Sequence, residues 1–217
     1  MQTLTQQLVA LGLANRVVSD DQLRRVLPGS AQRRYHLVSR AMAAGELLHL
    51  RRGRYVLARA FRDNPAHPFA LAQAFASGSY VSFETALAHH GWIPEAVHTV
   101  ASITPGRKTS SYEHPIFGHF TFHPLPVDPG HFLELVERAE FTGQVALVAR
   151  PVRALMDLVC LRKQEWQGIG WLIDGMRIEL EQLRSITSAD IRILRLVYRN
   201  QRAQSFLSSL ARELGND

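Results

Sequence analysis

A chain of 217 residues that is 46% hydrophobic and 20% charged can bury the core of one large or two modest domains, which argues against disorder. No apolar run approaches the ~20 residues of a membrane span, and the opening MQTLTQQLVALGLANR lacks a cationic leader joined to an apolar stretch. We therefore expect neither a signal peptide nor a membrane partner. The formal charge of +6 is lopsided: residues 1–62 hold eleven arginines against Asp20, Asp21 and Glu46, a net +8, and the remainder is −2. Such asymmetry predicts a polyanion-binding module joined to a near-neutral one. The single cysteine, Cys160, excludes an internal disulfide and fits a cytoplasmic location.

The chain opens on a helical stripe of Leu4, Leu8, Leu11 and Val9 that Gly12 ends. Ser19 then precedes DDQLRRVL, an N-cap followed by two acids in the first turn, closed by Pro28-Gly29. Ser30 starts a third helix, AQRRYHLVSRAMAAG, with Gly45 as its C′ residue. LLHLRRGRYVLA follows, two apolar runs around Arg51, Arg52, Gly53 and Arg54, the pattern of a β-hairpin. Three short helices and a hairpin give the order of a winged helix-turn-helix, and residues 1–62 are expected to form one.

On the third helix, a spacing of 100° per residue groups Ala31, Tyr35, Val38 and Met42 on the side expected to pack on the first two helices. Arg33, His36 and Arg40 fall opposite, flanked by Ser30, Gln32 and Arg34. Arginine pairs with guanine and glutamine with adenine in the major groove of duplex DNA, so this face is the expected base reader. Arg51, Arg52 and Arg54 at the hairpin tip repel one another, and DNA phosphates are the external anion expected to relieve them. No aromatic-rich sheet motif for stacking RNA bases accompanies them.

FRDNPAHPFA reads as a linker, and residues 63–217 as a mixed α+β domain ending in helices. In order, the pattern predicts a helix from Pro68 to Ala76, a helix FETALAHH capped by Ser82, and a strand in VHTVASIT. PGRKTSSYEHP is expected to be an exposed loop. IFGHFTFHPLP alternates, with Ile116, Phe120 and Phe122 on one side and His119, Thr121 and His123 on the other. GHFLELVERAE reads as an amphipathic helix, QVALVA as a buried strand, and PVRALMDLVCLRK as a helix with Pro151 at its first position. The last fifty residues read as wholly helical.

YVSFETALAHHGWIP, VHTVASITPGRK, FGHFTFHPLP and VALVARPVRALMDL resemble, in order and spacing, successive blocks of the AbiEi family, the antitoxins of type IV abortive-infection toxin–antitoxin systems in phage defence. MAAGELLHLRRGRYVL resembles that family's winged-helix ending, and the resemblance covers residues 5 to 165. It implies a bacterial transcriptional autorepressor that binds inverted repeats in its own promoter, two protomers per repeat. It also implies an antitoxin that counteracts a co-encoded nucleotidyltransferase toxin, with or without stable contact.

The residues offer little catalytic chemistry. His119 and His123 stand four residues apart on one strand, about 13 Å, too far to share an ion. His89 and His90 are neighbours on a helix and point apart, and there is no HExxH and no cysteine pair. TPGRK lacks P-loop spacing, and Asp157 and Glu165 lack an E-x-K-like partner. Asp157 reads as a hydrogen-bonding helix residue and Cys160 as a small core residue. No metal, cofactor or catalytic site is expected. Two alternatives stay open: an effector-responsive winged-helix regulator without a toxin, and a DNA-processing enzyme with a winged-helix targeting domain. A second basic surface has two parts: Arg107 and Lys108 on a Pro-Gly loop, and a stripe of Arg192, Arg195, Arg199 and Arg202, every three or four residues along the final helices, beside the apolar face of Ile191, Leu194 and Tyr198. It reads either as a solvated face or as a further contact with DNA, toxin or the toxin's nucleic-acid substrate.

Overall fold

Capping residues fix the first helices. In the computed structural model, which describes residues 2–216, helix α1 (Leu4–Ala10) starts at Thr3 and α2 (Asp20–Val26) at Ser19. Each has a reciprocal capping box with a glutamine three residues on, Gln6 and Gln22. Helix α3 (Ala31–Ala43) starts at Ser30, whose hydroxyl accepts from Arg33 N–H. It closes through Gly45, with φ at 67° and the Glu46 N–H bonded to the Ala41 carbonyl at 2.9 Å. Strands β2 (Leu47–Arg51) and β3 (Arg54–Leu57) then pair antiparallel, and β1 (Val18–Ser19) adds to the free edge of β3. Leu4, Leu8, Val18, Leu23, Leu37, Val38, Leu47 and Leu57 are among the side chains of one apolar core.

The fold is α+β, and the chain divides into two compact units. The first is Met1–Ser77 with Glu140–Ala146, and the second is Gly78–Ala139 with Leu147–Asp217. The first unit runs past residue 62 because helix α4 (Pro68–Phe75) packs against β2. Three stacked or edge-on rings, His67, Phe69 and Phe141, also belong to it.

Two packing faces differ from the sequence expectation. Helix α1 stops before Leu11, which is exposed together with Val9, so its buried stripe is Leu4, Thr5 and Leu8. In α3 the buried stripe is Leu37, Val38 and Ala41, whereas Tyr35 is 70% exposed and Met42 lies at the rim. The aliphatic stripe wins because it carries no polar atom into the core, while an inward Tyr35 would bring a phenol that needs a partner.

A six-stranded mixed sheet of order β6-β7-β5-β4-β9-β8 carries the second unit, with the hairpin end of β8 and β9, residues 140–146, counted in the first. Its strands are β4 (Tyr80–Val81), β5 (Thr99–Ile103), β6 (Ser110–His114), β7 (Gly118–His123), β8 (Val136–Phe141) and β9 (Gln144–Ala149). β5 runs parallel to β7, and β4 parallel to β9, while β6 is antiparallel to β7. Helices α5 (Phe83–His89), α6 (Pro151–Arg162), α7 (Leu180–Arg184), α8 (Ser188–Val197) and α9 (Gln201–Leu214) complete it, with a π-helical turn at Trp171–Gly175.

Several sequence expectations are corrected here. Residues 130–140 are not a helix: a 3₁₀ turn at Pro129–His131 gives way to β8, after Leu135 turns the backbone left-handed at φ 56°. β8 then joins β9 through Thr142-Gly143, both at positive φ as a tight hairpin requires. The loop expected over 105–115 is half strand, since β6 completes the ladder on β7. Phe120 and Phe122 are buried as their alternation predicts, but Ile116 precedes the strand and is exposed. Pro151 does take the first position of α6.

One buried polar cluster ties this unit together. Arg153 and Asp157, one turn apart on α6, are both fully buried, with Nε 3.1 Å from Oδ1. The Tyr198 hydroxyl donates to the same carboxylate oxygen. Ser82 Oγ (2.7 Å) and Tyr80 OH (3.2 Å) donate to Oδ2. The remaining Arg153 donors reach Tyr80 OH at 2.5 Å and the carbonyls of Glu134 (2.9 Å) and Phe132 (3.4 Å). Ser82 precedes α5 but its hydroxyl makes no cap; it is turned to Asp157, to which it donates. Burial, reinforced by Asp157, pushes the Tyr80 and Tyr198 phenols well above their ordinary range. Burial works against the Arg153 cation, and Asp157 together with the Tyr198 and Tyr80 phenols more than offsets it.

Candidate nucleic-acid interface

The exposed arc of α3 is polar and cationic. Gln32, Arg33, His36 and Arg40 are all exposed, as is Ser30 at the cap. None of Arg33, His36 and Arg40 makes an ion pair among the described residues. Tyr35 stands beside His36 on this arc, its ring edge-on at 5.9 Å. Arg34 is drawn aside: it is half-buried, and Nη1 donates to the Gly29 carbonyl at 2.6 Å. A cavity of about 430 Å³ lies between α2, α3 and β3, with Arg24, Arg34, Tyr35 and Tyr55 in its walls.

Two of the three hairpin-tip arginines bond to backbone carbonyls of the chain itself. The ladder between β2 and β3 shifts register between His49 and Arg51, and Arg51 faces Arg54. The Arg51 guanidinium then donates to the Phe75 carbonyl at the end of α4. Arg54 donates to the Gly53 carbonyl at 3.1 Å. The Asp20 carboxylate lies directly over Gly53 and accepts from the Tyr55 phenol, whose pKa rises through burial and this neighbour. The backbone agrees, since Asp20 N–H donates to the Gly53 carbonyl at 3.1 Å. Of the three tip arginines, Arg52 alone is exposed, and Gly53 is buried under Asp20.

Asp20 was legible only as an acid in the first turn of a helix. Its contact with a glycine thirty-three positions on is a tertiary fact, and no spacing signals it. Arg51 was legible as a charge but not as a strut, because its acceptor is a backbone carbonyl.

The second basic surface is not one stripe. α8 ends at Val197 and α9 begins at Gln201, so Arg192 and Arg195 stand on one helix, Arg202 on another and Arg199 between them. Tyr198 ends α8 and turns inward to Asp157, which breaks the period. Arg199 pairs with Asp128 at 2.9 Å, and Arg195 reaches Ser208. Ile191 and Leu194 are buried, and Arg107, Lys108, Arg192 and Arg202 are exposed.

Asp157 belongs to the buried cluster, as its reading from sequence has it. Burial pushes the Cys160 thiol up to about 12, far from a reactive thiolate. Among the described residues no group of three or more His, Cys, Asp or Glu side chains is placed to hold a metal ion, and no helix is long and apolar enough to cross a membrane. Comparison of the chain with protein-family models and with curated proteins finds no match.

Proposed function

We propose that this protein is a DNA-binding transcriptional repressor, with its first three helices and hairpin acting as a winged helix-turn-helix. The observation that carries the reading is the free cationic arc of α3, where Gln32, Arg33, His36 and Arg40 project beside an exposed Tyr35 with no acidic partner among the described residues. Side chains of this kind on the first turns of a helix match the donor and acceptor edges of the major groove. Arg52 at the hairpin tip is the matching contact to phosphate or minor groove. Arg51, Arg54 and Arg34 hold the scaffold that presents these groups.

The resemblance to AbiEi antitoxins extends this reading. It supports autorepression from inverted repeats by two protomers, and neutralisation of a nucleotidyltransferase toxin by the second unit. The test is a titration of the chain against its own upstream region and against scrambled DNA of equal length, at two salt concentrations. Selective binding that weakens steeply with salt is the expected result. Equal, weak binding to both sequences overturns the repressor reading. The antitoxin reading fails separately if no nucleotidyltransferase is encoded beside this chain, or if co-expression with one that is leaves its growth arrest unchanged.

A further inference from the structure

The parallel strands β5 and β7 end side by side, and the Thr104 N–H still bonds the His123 carbonyl at 3.1 Å just beyond them. From there the chain leaves in opposite directions across the same end of the sheet. After β5 it crosses toward β6 at one edge, and after β7 it heads for β8 at the other. Chain exits that diverge beyond the carboxyl ends of parallel strands leave a crevice in which ligands collect. Here the crevice is a cleft of about 580 Å³ between Thr104–Arg107 on one side and Pro124–Val127, Pro129 and Phe132 on the other.

Its walls are apolar and stiff. Pro105, Pro124, Pro126 and Pro129 fix φ along both sides, so the cleft loses little freedom when filled. Gly78 comes close behind Pro105: a Cβ there would stand 3.3 Å from its ring. Phe132 supplies an aromatic surface, held edge-on against Tyr80 at 5.2 Å and by the bond from Arg153 to its carbonyl. Thr104 and Arg107 supply the polar side chains of the lining. The Arg107 guanidinium is exposed and forms no ion pair among the described residues. The Thr104 hydroxyl accepts from Gly106 N–H at 3.1 Å and keeps its own proton to donate. A volume of this size with a mainly apolar lining and a few convergent polar groups fits a small organic ligand.

We infer that this cleft binds a small aromatic carboxylate, its ring between Phe132 and the prolines and its carboxylate on Arg107 and Thr104. A guanidinium fork and a hydroxyl match a carboxylate's two oxygens, and a neutral ring alone leaves both donors unused. The site uses none of the α3 and hairpin residues to which the proposed function assigns DNA contact, and it stands or falls apart from that reading.

The test is calorimetric titration of the full chain with naphthoate, alongside uncharged naphthalenemethanol and naphthyl phosphate. We expect saturable one-site binding of naphthoate, weakened by about tenfold or more in Arg107→Gln and for naphthalenemethanol. Val127→Trp fills the cleft and should abolish the signal while keeping the wild-type thermal transition. Pro126→Trp, at an exposed position of the same wall, is the second filling variant should Val127→Trp not fold. No saturable binding to the wild-type chain, undiminished binding in Arg107→Gln, or undiminished binding in the filled variants overturns the assignment. Tighter binding of naphthyl phosphate overturns the carboxylate in favour of a phosphate monoester.

Discussion

The Asp20 carboxylate sits over Gly53 so closely that a Cβ added to the glycine would stand 2.7 Å from Oδ2. The first residue of α2 thereby holds the tip of the hairpin between β2 and β3, and Tyr55 completes the contact from β3. Gly53 meets two demands at once: a left-handed backbone at φ 69° and the absence of a side chain.

Gly53→Ala should therefore cost more than a turn glycine in open space. The left-handed conformation alone is worth about 1–2 kcal/mol, and the Cβ must also displace Asp20. Urea denaturation measures the loss. A midpoint equal to wild type shows that the carboxylate does not press on this turn.

Arg51 and Arg52, neighbours at the hairpin tip, should separate by assay. Arg51→Ala removes the bond to the Phe75 carbonyl and should lower stability by about 1 kcal/mol. Arg52→Ala should leave the melting temperature unchanged, weaken all DNA sequences alike, and reduce the salt slope by about 1. Thermal melts and a salt series on both variants decide it, and identical effects from the two substitutions contradict the division of labour.

Arg33 is expected to read a base. Arg33→Ala should cost about 1–3 kcal/mol on the specific site and relax preference at one base pair. Competition with singly substituted operators measures this, and equal losses on specific and random DNA remove Arg33 from the readers.

Asp157→Asn leaves the Arg153 cation buried without its counter-charge and should cost about 3–5 kcal/mol. Tyr198→Phe removes one donor to the same carboxylate and should cost less, about 1.5–3 kcal/mol. Denaturant midpoints give the order directly, and an asparagine variant as stable as wild type rules out a charged pair.

Stability should also fall at alkaline pH. The folded state holds the Tyr80, Tyr198 and Cys160 protons more tightly than the unfolded chain, since all three pKa values are raised, the thiol to about 12. Their contribution is complete below the unfolded values, about 8.5 for the thiol and 10 for the phenols, and is lost as pH climbs toward the folded ones. Denaturant midpoints from pH 8 to about 11 should decline, less steeply in Tyr198→Phe. A flat profile in the wild-type chain is the contrary result.

Local chemistry was legible where it is decided locally. Ser19 and Ser30 begin helices, Gly45 ends one, and Pro151 opens another, because each signal lies within four residues of the bond it makes. The exposed cations of α3 were legible for the same reason. Residues 130–140 were not: Phe132, Leu133, Leu135 and Val136 have helical spacing, yet β9 offers a ladder that outweighs it. The inward face of α3 is not legible from periodicity: Tyr35 and Met42 fit the apolar side of the wheel, which does not say which apolar residue the neighbouring helices accept. Of the buried cluster only Asp157 is legible, because its partners other than Arg153 lie 41 to 77 positions away.

That last spacing orders events during synthesis. The Asp157 carboxylate is met by Tyr80 and Ser82 from chain already made and by Arg153 four residues earlier, but Tyr198 emerges forty-one residues later. The first unit faces no such delay in its helical part, whose core partners all lie before residue 58. On the ribosome, the α3 face can therefore be in place while the second unit is still waiting for its final hydroxyl.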